Sequence, residues 1–289
     1  MKYPITQVET KDGFLLHSLF VEAKNPKAVF INIHGTASNF YEEDFIEYMT
    51  KEFVEEEISM LSTNNRGTGV YDAWAEKGAA VEMFEDCLLD IDAWVEFVIQ
   101  KGYTKIILSG HSLGTEKVVY YMAKGKYKEK ISGVILLAPA SSPGYHIYND
   151  NYQPSEIDRK NVEKLLEEAQ KLIDASKGDE FMKRTAYAGI MPKSARSLVN
   201  TLGPNAEILK ALPFHTGKLE MYKTISAPIF AAIGDKYEYT AIPPDEALKL
   251  MEQQNAKTET HYLKNCSHDF TGHEEKLTKL VTKFIKKIL

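Results

Sequence analysis

Residues 105–114 read Lys-Ile-Ile-Leu-Ser-Gly-His-Ser-Leu-Gly. The apolar residues Ile106, Ile107 and Leu108 run straight into Gly110-x-Ser112-x-Gly114. Val118, Val119 and Met122 then continue at helical spacing. A chain that turns from strand to helix within so few residues must press backbone against backbone. The two glycines leave room that a side chain would fill. Such a turn also holds the Ser112 hydroxyl clear of the main chain at the end of a strand. The feature therefore constrains both the fold and the chemistry.

The rest of the chain repeats the alternation. Phe14–Phe20 follows an Asp12-Gly13 turn signal and is predicted to be a strand of an N-terminal hairpin. Ala28–Ile33, Ile58–Ser62, Ile106–Leu108 and Val134–Ala138 are continuous apolar runs. Phe45, Met49 and Phe53 recur at helical spacing between two of them, and Phe84, Leu88, Ile91, Val95 and Val98 between the next two. Unbroken apolar strands separated by helices predict an α/β fold with a mostly parallel sheet covered by helices on both faces. The alternation breaks near Ser141 and resumes at Pro228-Ile-Phe-Ala-Ala-Ile233. His261–Leu263 is expected in a last strand, and Leu277, Leu280, Phe284 and Ile288 line a closing helix. The expected division is a core domain of residues 1–140 and 226–289, with a helical cap insertion over 141–225.

The chain has 289 residues, a net charge of −6 and two cysteines far apart in sequence. That charge does not indicate a basic nucleic-acid-binding surface. Cys87 and Cys266 form neither a metal-type cluster nor a disulfide framework, so the expected compartment is a reducing cytoplasm. No apolar signal core is read at the N-terminus, and no eighteen-residue apolar run predicts a membrane span. No Gly-rich dinucleotide fingerprint and no metal-ligand spacing appears, so no cofactor and no metal are expected.

A serine needs a base within hydrogen-bond reach, and the base needs an orienting acid. His268, in Asn265-Cys-Ser-His268-Asp-Phe270, lies after the last strand, where α/β sheets place their sites. His17, His146, His215, His261 and His273 lack that context. The candidate acids are Asp235 and Glu238 in Gly234-Asp-Lys-Tyr-Glu238, with an acid elsewhere in the chain, or none, as the alternative. Either gives the order serine, acid, histidine. Donors for a developing oxyanion are expected from the backbone amides of Leu113, after the serine, and Thr36, in His34-Gly35-Thr36. His34 is read as a loop brace.

These residues together resemble the α/β-hydrolase superfamily over nearly the whole chain. The matching pieces are His34-Gly35, Asn65-Arg66-Gly67-Thr-Gly69, Gly110-His-Ser-Leu-Gly114, Gly234-Asp235 and Ser267-His268-Asp-Phe270. The resemblance implies an α/β-hydrolase fold with an eight-stranded sheet and a cap between strands six and seven. It also implies a bracing role for Arg66. Two departures stand out. The family's usual acid position, three residues after the glycine, is Tyr237 here, and Thr115 stands where many relatives have another glycine.

The implied activity is that of a serine hydrolase, a carboxylesterase acting on a small-molecule ester through an acyl-enzyme on Ser112. Tyr145, Tyr187 and Phe214 are candidate substrate contacts in the cap. An amidase of the proline-iminopeptidase kind is the alternative, with Glu156, Asp158 or Glu163 meeting a substrate amine. A catalytically inactive binding module is a third possibility, suggested by Tyr237 at the acid position.

Overall fold

The computed structural model describes residues 4–143, 159–183 and 191–289. Every residue of strand β3 (Ala28–Ile33) is buried, which requires cover on both faces. Side chains alternate along a strand, so Val29, Ile31 and Ile33 face one way while Ala28 and Phe30 face the other. The first set packs with Trp94, Val95 and Val98 of helix α2 (Cys87–Gln100) and with Val118 and Val119 of α3 (Leu113–Lys124). The second set packs with Phe45, Met49 and Phe53 of α1 (Asp44–Glu55) and with Leu277, Val281 and Phe284 near the C-terminus. Burying each of these large side chains stabilises the fold by about 1.5–3 kcal/mol before chain entropy is counted.

The remaining strands are β1 (Ile5–Glu9), β2 (Leu15–Val21), β4 (Ile58–Thr63), β5 (Ile106–His111), β6 (Ile131–Leu137), β7 (Ile229–Ile233) and β8 (Thr258–Tyr262). They form one eight-stranded sheet in the order β1-β2-β4-β3-β5-β6-β7-β8. The β1–β2 and β2–β4 pairs are antiparallel and the others are parallel. The parallel arrangement brings the carboxyl ends of β3, β5, β7 and β8 to one edge. The loops that follow them, carrying Thr36, Ser112, Glu238 and His268, meet there.

Between β6 and β7, helices α4 (Arg159–Asp174) and α5 (Ala195–Leu202) form a small core of their own from Val162, Leu165, Ala169, Met182, Leu198 and Leu202. The expected cap boundary at residue 225 differs from the packing. Leu212, Phe214, Leu219, Tyr222 and Ile225 join the main core beneath the sheet. Ala206, Ile208 and Ala211 pack against Phe84, Cys87, Leu113 and Tyr120. These residues lie in short 3-10 turns and connections, whose apolar spacing carries no period that separates cap from core. After β7 come α6 (Pro244–Gln254) and α7 (Glu274–Ile288).

The loop between β4 and α2 is fastened by charge. Arg66 lies between Asp90, at 2.8 Å, Asp12, at 3.0 Å, and Asp86, at 3.1 Å. Lys117 of α3 is buried beneath the loop, paired with Glu82 and donating to Asn65 Oδ1 at 3.1 Å. A Cβ on Gly67 would sit 2.2 Å from the Glu82 carboxylate, so a side chain there would displace Glu82 from its present position. The same loop carries the insertion. Lys193 Nζ donates to the Ala79 carbonyl at 2.8 Å, and Ser197 Oγ donates to the Glu82 carbonyl at 2.7 Å. Glu82→Ala would leave the Lys117 ammonium buried without its counter-charge. A loss of about 3–5 kcal/mol in urea unfolding is expected. A loss within error would show that the pair adds nothing to stability.

Candidate active site

Ser112 sits at φ 55°, ψ −126°, a conformation costly for a residue with a side chain. The surrounding packing imposes it. A Cβ on Gly110 would lie 2.2 Å from the Gly114 carbonyl, and one on Gly114 would lie 2.2 Å from the Ile33 carbonyl. The elbow is thus wedged against the end of β3, and the glycines have the steric job read from the sequence. Gly35 is equally close: a Cβ there would come within 2.9 Å of Ser112 Cβ. The Ser112 amide donates to the Leu137 carbonyl at 3.0 Å, fixing the elbow to β6. Thr115 adds a second tie. Its hydroxyl donates to the Ser112 carbonyl at 2.6 Å and accepts from the Ala140 amide at 3.1 Å.

His268 is brought to the same edge by the loop after β8. Its Nδ1 lies 2.8 Å from Glu238 Oε2, and the Glu238 side chain is fully buried. The other carboxylate oxygen, Oε1, accepts from the Gly234 amide at 2.9 Å. Glu238 reaches His268 although it lies one residue beyond Tyr237. Tyr237 takes φ 61° and turns outward to solvent, which swings Glu238 back beneath His268. Asp235 does not take this place. Its Oδ1 accepts from the Cys266 amide at 3.1 Å, and hydrogen bonds from the Asn265 and Cys266 amides hold its carboxyl below the usual range. It ties the β7 loop to the β8 loop. His268 Nε2, the nitrogen left over by Glu238, is buried with no hydrogen-bond partner.

The Thr36 and Leu113 amides have no hydrogen-bond acceptor among the described residues. Thr36 itself is exposed and Ser112 is partly so, which leaves this edge open to solvent. His34 braces the loop. Its ring lies 2.7 Å from the Gly35 carbonyl and accepts from the Asn65 amide at 3.1 Å. Burial and the Lys117 charge push it down to about 3, so it stays neutral. Tyr145 and Tyr187 lie outside the described residues, as do Glu156 and Asp158. Phe214 is buried in the main core. Glu163 is exposed on α4.

Three residues join the site without a signal in the local sequence. His111 is buried, its ring centroid 5.0 Å from that of His268, and its Nε2 lies 3.0 Å from the His268 carbonyl. A carbonyl only accepts, so this nitrogen carries the hydrogen. Burial pushes the ring down to about 3 and keeps it neutral. Glu43, ahead of α1, places Oε1 3.7 Å from His111 Nδ1, and burial together with Asp269 raises its carboxyl to about 7. Asp269, next to His268, is exposed. Glu43 and Asp269 line a depression of about 390 Å³ with Thr36, Ala37 and Ser38 beside the oxyanion loop. These meetings join segments far apart in the chain, and only the folded sheet brings them together.

Behind the elbow, Glu116 is fully buried and accepts from the Ser142 amide at 3.1 Å and from its hydroxyl at 2.6 Å. Burial pushes this carboxyl up to about 8, from an ordinary value of 4.5. Between those values the folded chain holds a proton that the unfolded chain has lost. Stability therefore falls as pH rises through that window. Glu116→Gln, which mimics the protonated acid, is expected to flatten this decline and raise Tm at pH 8 by about 2–4 °C. Parallel Tm–pH curves for the two proteins would contradict the assignment.

A family model for serine aminopeptidase, S33, matches residues 24–276. No curated protein sequence matches the chain. Among solved structures, the ferulic-acid complex of Est1E from Butyrivibrio proteoclasticus superposes with a TM-score of 0.70 at 18% identity, covering 98% of this chain and 99% of that one. A highly thermostable carboxyl esterase from Bacillus coagulans, in complex with glycerol, gives 0.67 at 14%, covering 100% and 99%. A soluble variant of monoglyceride lipase from Saccharomyces cerevisiae, in complex with a substrate analogue, gives 0.62 at 15%, covering 99% and 96%. At these identities the likeness establishes the fold. With the family match over most of its length, the chain belongs to the serine aminopeptidase, S33, family of α/β-hydrolases.

Proposed function

We propose that the protein is a serine hydrolase that cleaves a carboxylic ester of a small molecule, with Ser112 as nucleophile, His268 as base and Glu238 as the orienting acid. The observation that carries this reading is the Glu238–His268 pair, 2.8 Å apart, at the sheet edge where the strained Ser112 stands. Glu238 fixes the hydrogen on His268 Nδ1, which leaves the Nε2 lone pair free to take a proton. Ser112 Oγ attacks the ester carbonyl and gives its proton to His268. The Leu113 and Thr36 amides, with no other acceptor, stabilise the oxyanion. His268 then protonates the departing alcohol. Water, deprotonated by His268, releases the acid from Ser112 by the same route.

Esters are favoured because the similar structures named above include a carboxyl esterase and a monoglyceride lipase. The family's description favours a second reading, cleavage of an aminoacyl amide. The test compares p-nitrophenyl esters of increasing acyl length with aminoacyl p-nitroanilides. Turnover of short esters with no release from the anilides supports the esterase reading. Turnover of the anilides alone would replace it.

A further inference from the structure

We propose that His111, His268 and Asp269 form a site for a divalent transition-metal ion of the zinc type, which reversibly blocks the hydrolase; the inhibitory role rests on the reading of His268 as the base. Each of the three residues places a donor atom within 4.8 Å of one from each of the others. Two imidazoles and a carboxylate, with a further position open, are a donor set suited to zinc. The hydrogen bonding points the same way. His268 gives Nδ1 to Glu238 and His111 gives Nε2 to the His268 carbonyl. That leaves His268 Nε2 and His111 Nδ1, both buried and both without a hydrogen-bond partner among the described residues. Nearby stand Glu43, 3.7 Å from His111 Nδ1, and the exposed Asp269. Two imidazole nitrogens and two carboxyl groups thus converge. A cation resolves that arrangement.

Tetrahedral zinc holds nitrogen and oxygen ligands at about 2.0–2.2 Å, so ligand atoms on one ion stand about 3.3–3.6 Å apart. Donor atoms as far apart as 4.8 Å must then close by about 1.5 Å, and the exposed Asp269 is the ligand with room to move. The depression lined by Asp269, Glu43 and Thr36 opens a way in from solvent. Bound there, the metal accepts the His268 Nε2 lone pair, the same pair that takes the Ser112 proton. Metal binding and base catalysis therefore exclude each other. No bond of the substrate is made or broken by the metal, and its role is occupancy alone.

The test uses the full chain in a non-chelating buffer, with zinc chloride as ligand and cobalt(II) chloride as an optical probe. Binding is followed by equilibrium dialysis and by the cobalt visible band, alongside ester turnover. One metal per chain is expected, with turnover lost in proportion to occupancy and restored by EDTA. Asp269→Asn should bind zinc at least about tenfold more weakly. His111→Gln should weaken binding similarly, and Asp269→Asn still decides the matter if that variant does not fold. Unchanged zinc affinity in Asp269→Asn, binding without loss of turnover, or no binding would overturn the proposal. Stoichiometric binding lost in Asp269→Asn, in a protein that turns over no ester or amide, would keep the metal site and remove the hydrolase reading.

Discussion

Ser112→Ala is expected to lower kcat on a short ester by about four to six orders of magnitude while the protein keeps its fold. The size follows from what the hydroxyl supplies. Without Oγ no acyl-enzyme forms, and the remaining groups can only orient water near a polarised carbonyl. The fold should survive because the elbow is held by backbone rather than by the hydroxyl. The Ser112 amide is bonded to Leu137, its carbonyl to Thr115, and Gly110 and Gly114 are packed against neighbouring backbone. Removing the side-chain hydroxyl of this strained residue leaves those contacts in place. The measurement is steady-state hydrolysis of a short p-nitrophenyl ester, with far-UV circular dichroism as the folding control. A variant that retains more than about a hundredth of wild-type kcat would place the nucleophile elsewhere.

Glu238→Gln should cost about 10³- to 10⁴-fold in kcat, and Asp235→Asn should stay close to wild type. The carboxylate of Glu238 meets the Nδ1 hydrogen of His268 and so puts the lone pair on Nε2. An amide in its place presents an N–H to Nδ1 whenever its oxygen keeps the Gly234 bond. That geometry favours the opposite tautomer, with hydrogen on Nε2, where it no longer serves as a base. Asp235 has a different task, bonding the Cys266 amide between two loops. Its loss should appear in stability and not in turnover. Equal kcat for wild type and Glu238→Gln, with loss in Asp235→Asn, would reverse the two roles.

The central sheet was legible because its strands are fully buried. An unbroken run such as Ala28–Ile33 has one consistent placement, between two layers of helix. The elbow was legible because its glycines answer to close backbone contacts that no other residue permits. The carboxylate partner of His268 was not, because which of Asp235 and Glu238 reaches it turns on a left-handed Tyr237, and nothing in the residue type announces that conformation. The end of the insertion was hidden for another reason. Leu212, Phe214 and Tyr222 are apolar whether they serve a cap or the core, and their short 3-10 turns give no periodic face. The role of Thr115 was half visible. Its departure from glycine marked the position, but the bridge from the Ser112 carbonyl to the Ala140 amide needed the folded chain. His111, Glu43 and Asp269 are each unremarkable in sequence and gain meaning only where β5, α1 and the loop after β8 converge.

Among the described residues no helix is long and apolar enough to cross a membrane. The most direct measurement is covalent labelling of the full chain with a fluorophosphonate, followed by peptide mass spectrometry, wild type beside Ser112→Ala. Stoichiometric labelling of wild type on Ser112, slowed in Glu238→Gln and absent in Ser112→Ala, is the expected result. Labelling of another residue, or none in wild type, would contradict an activated serine at this elbow.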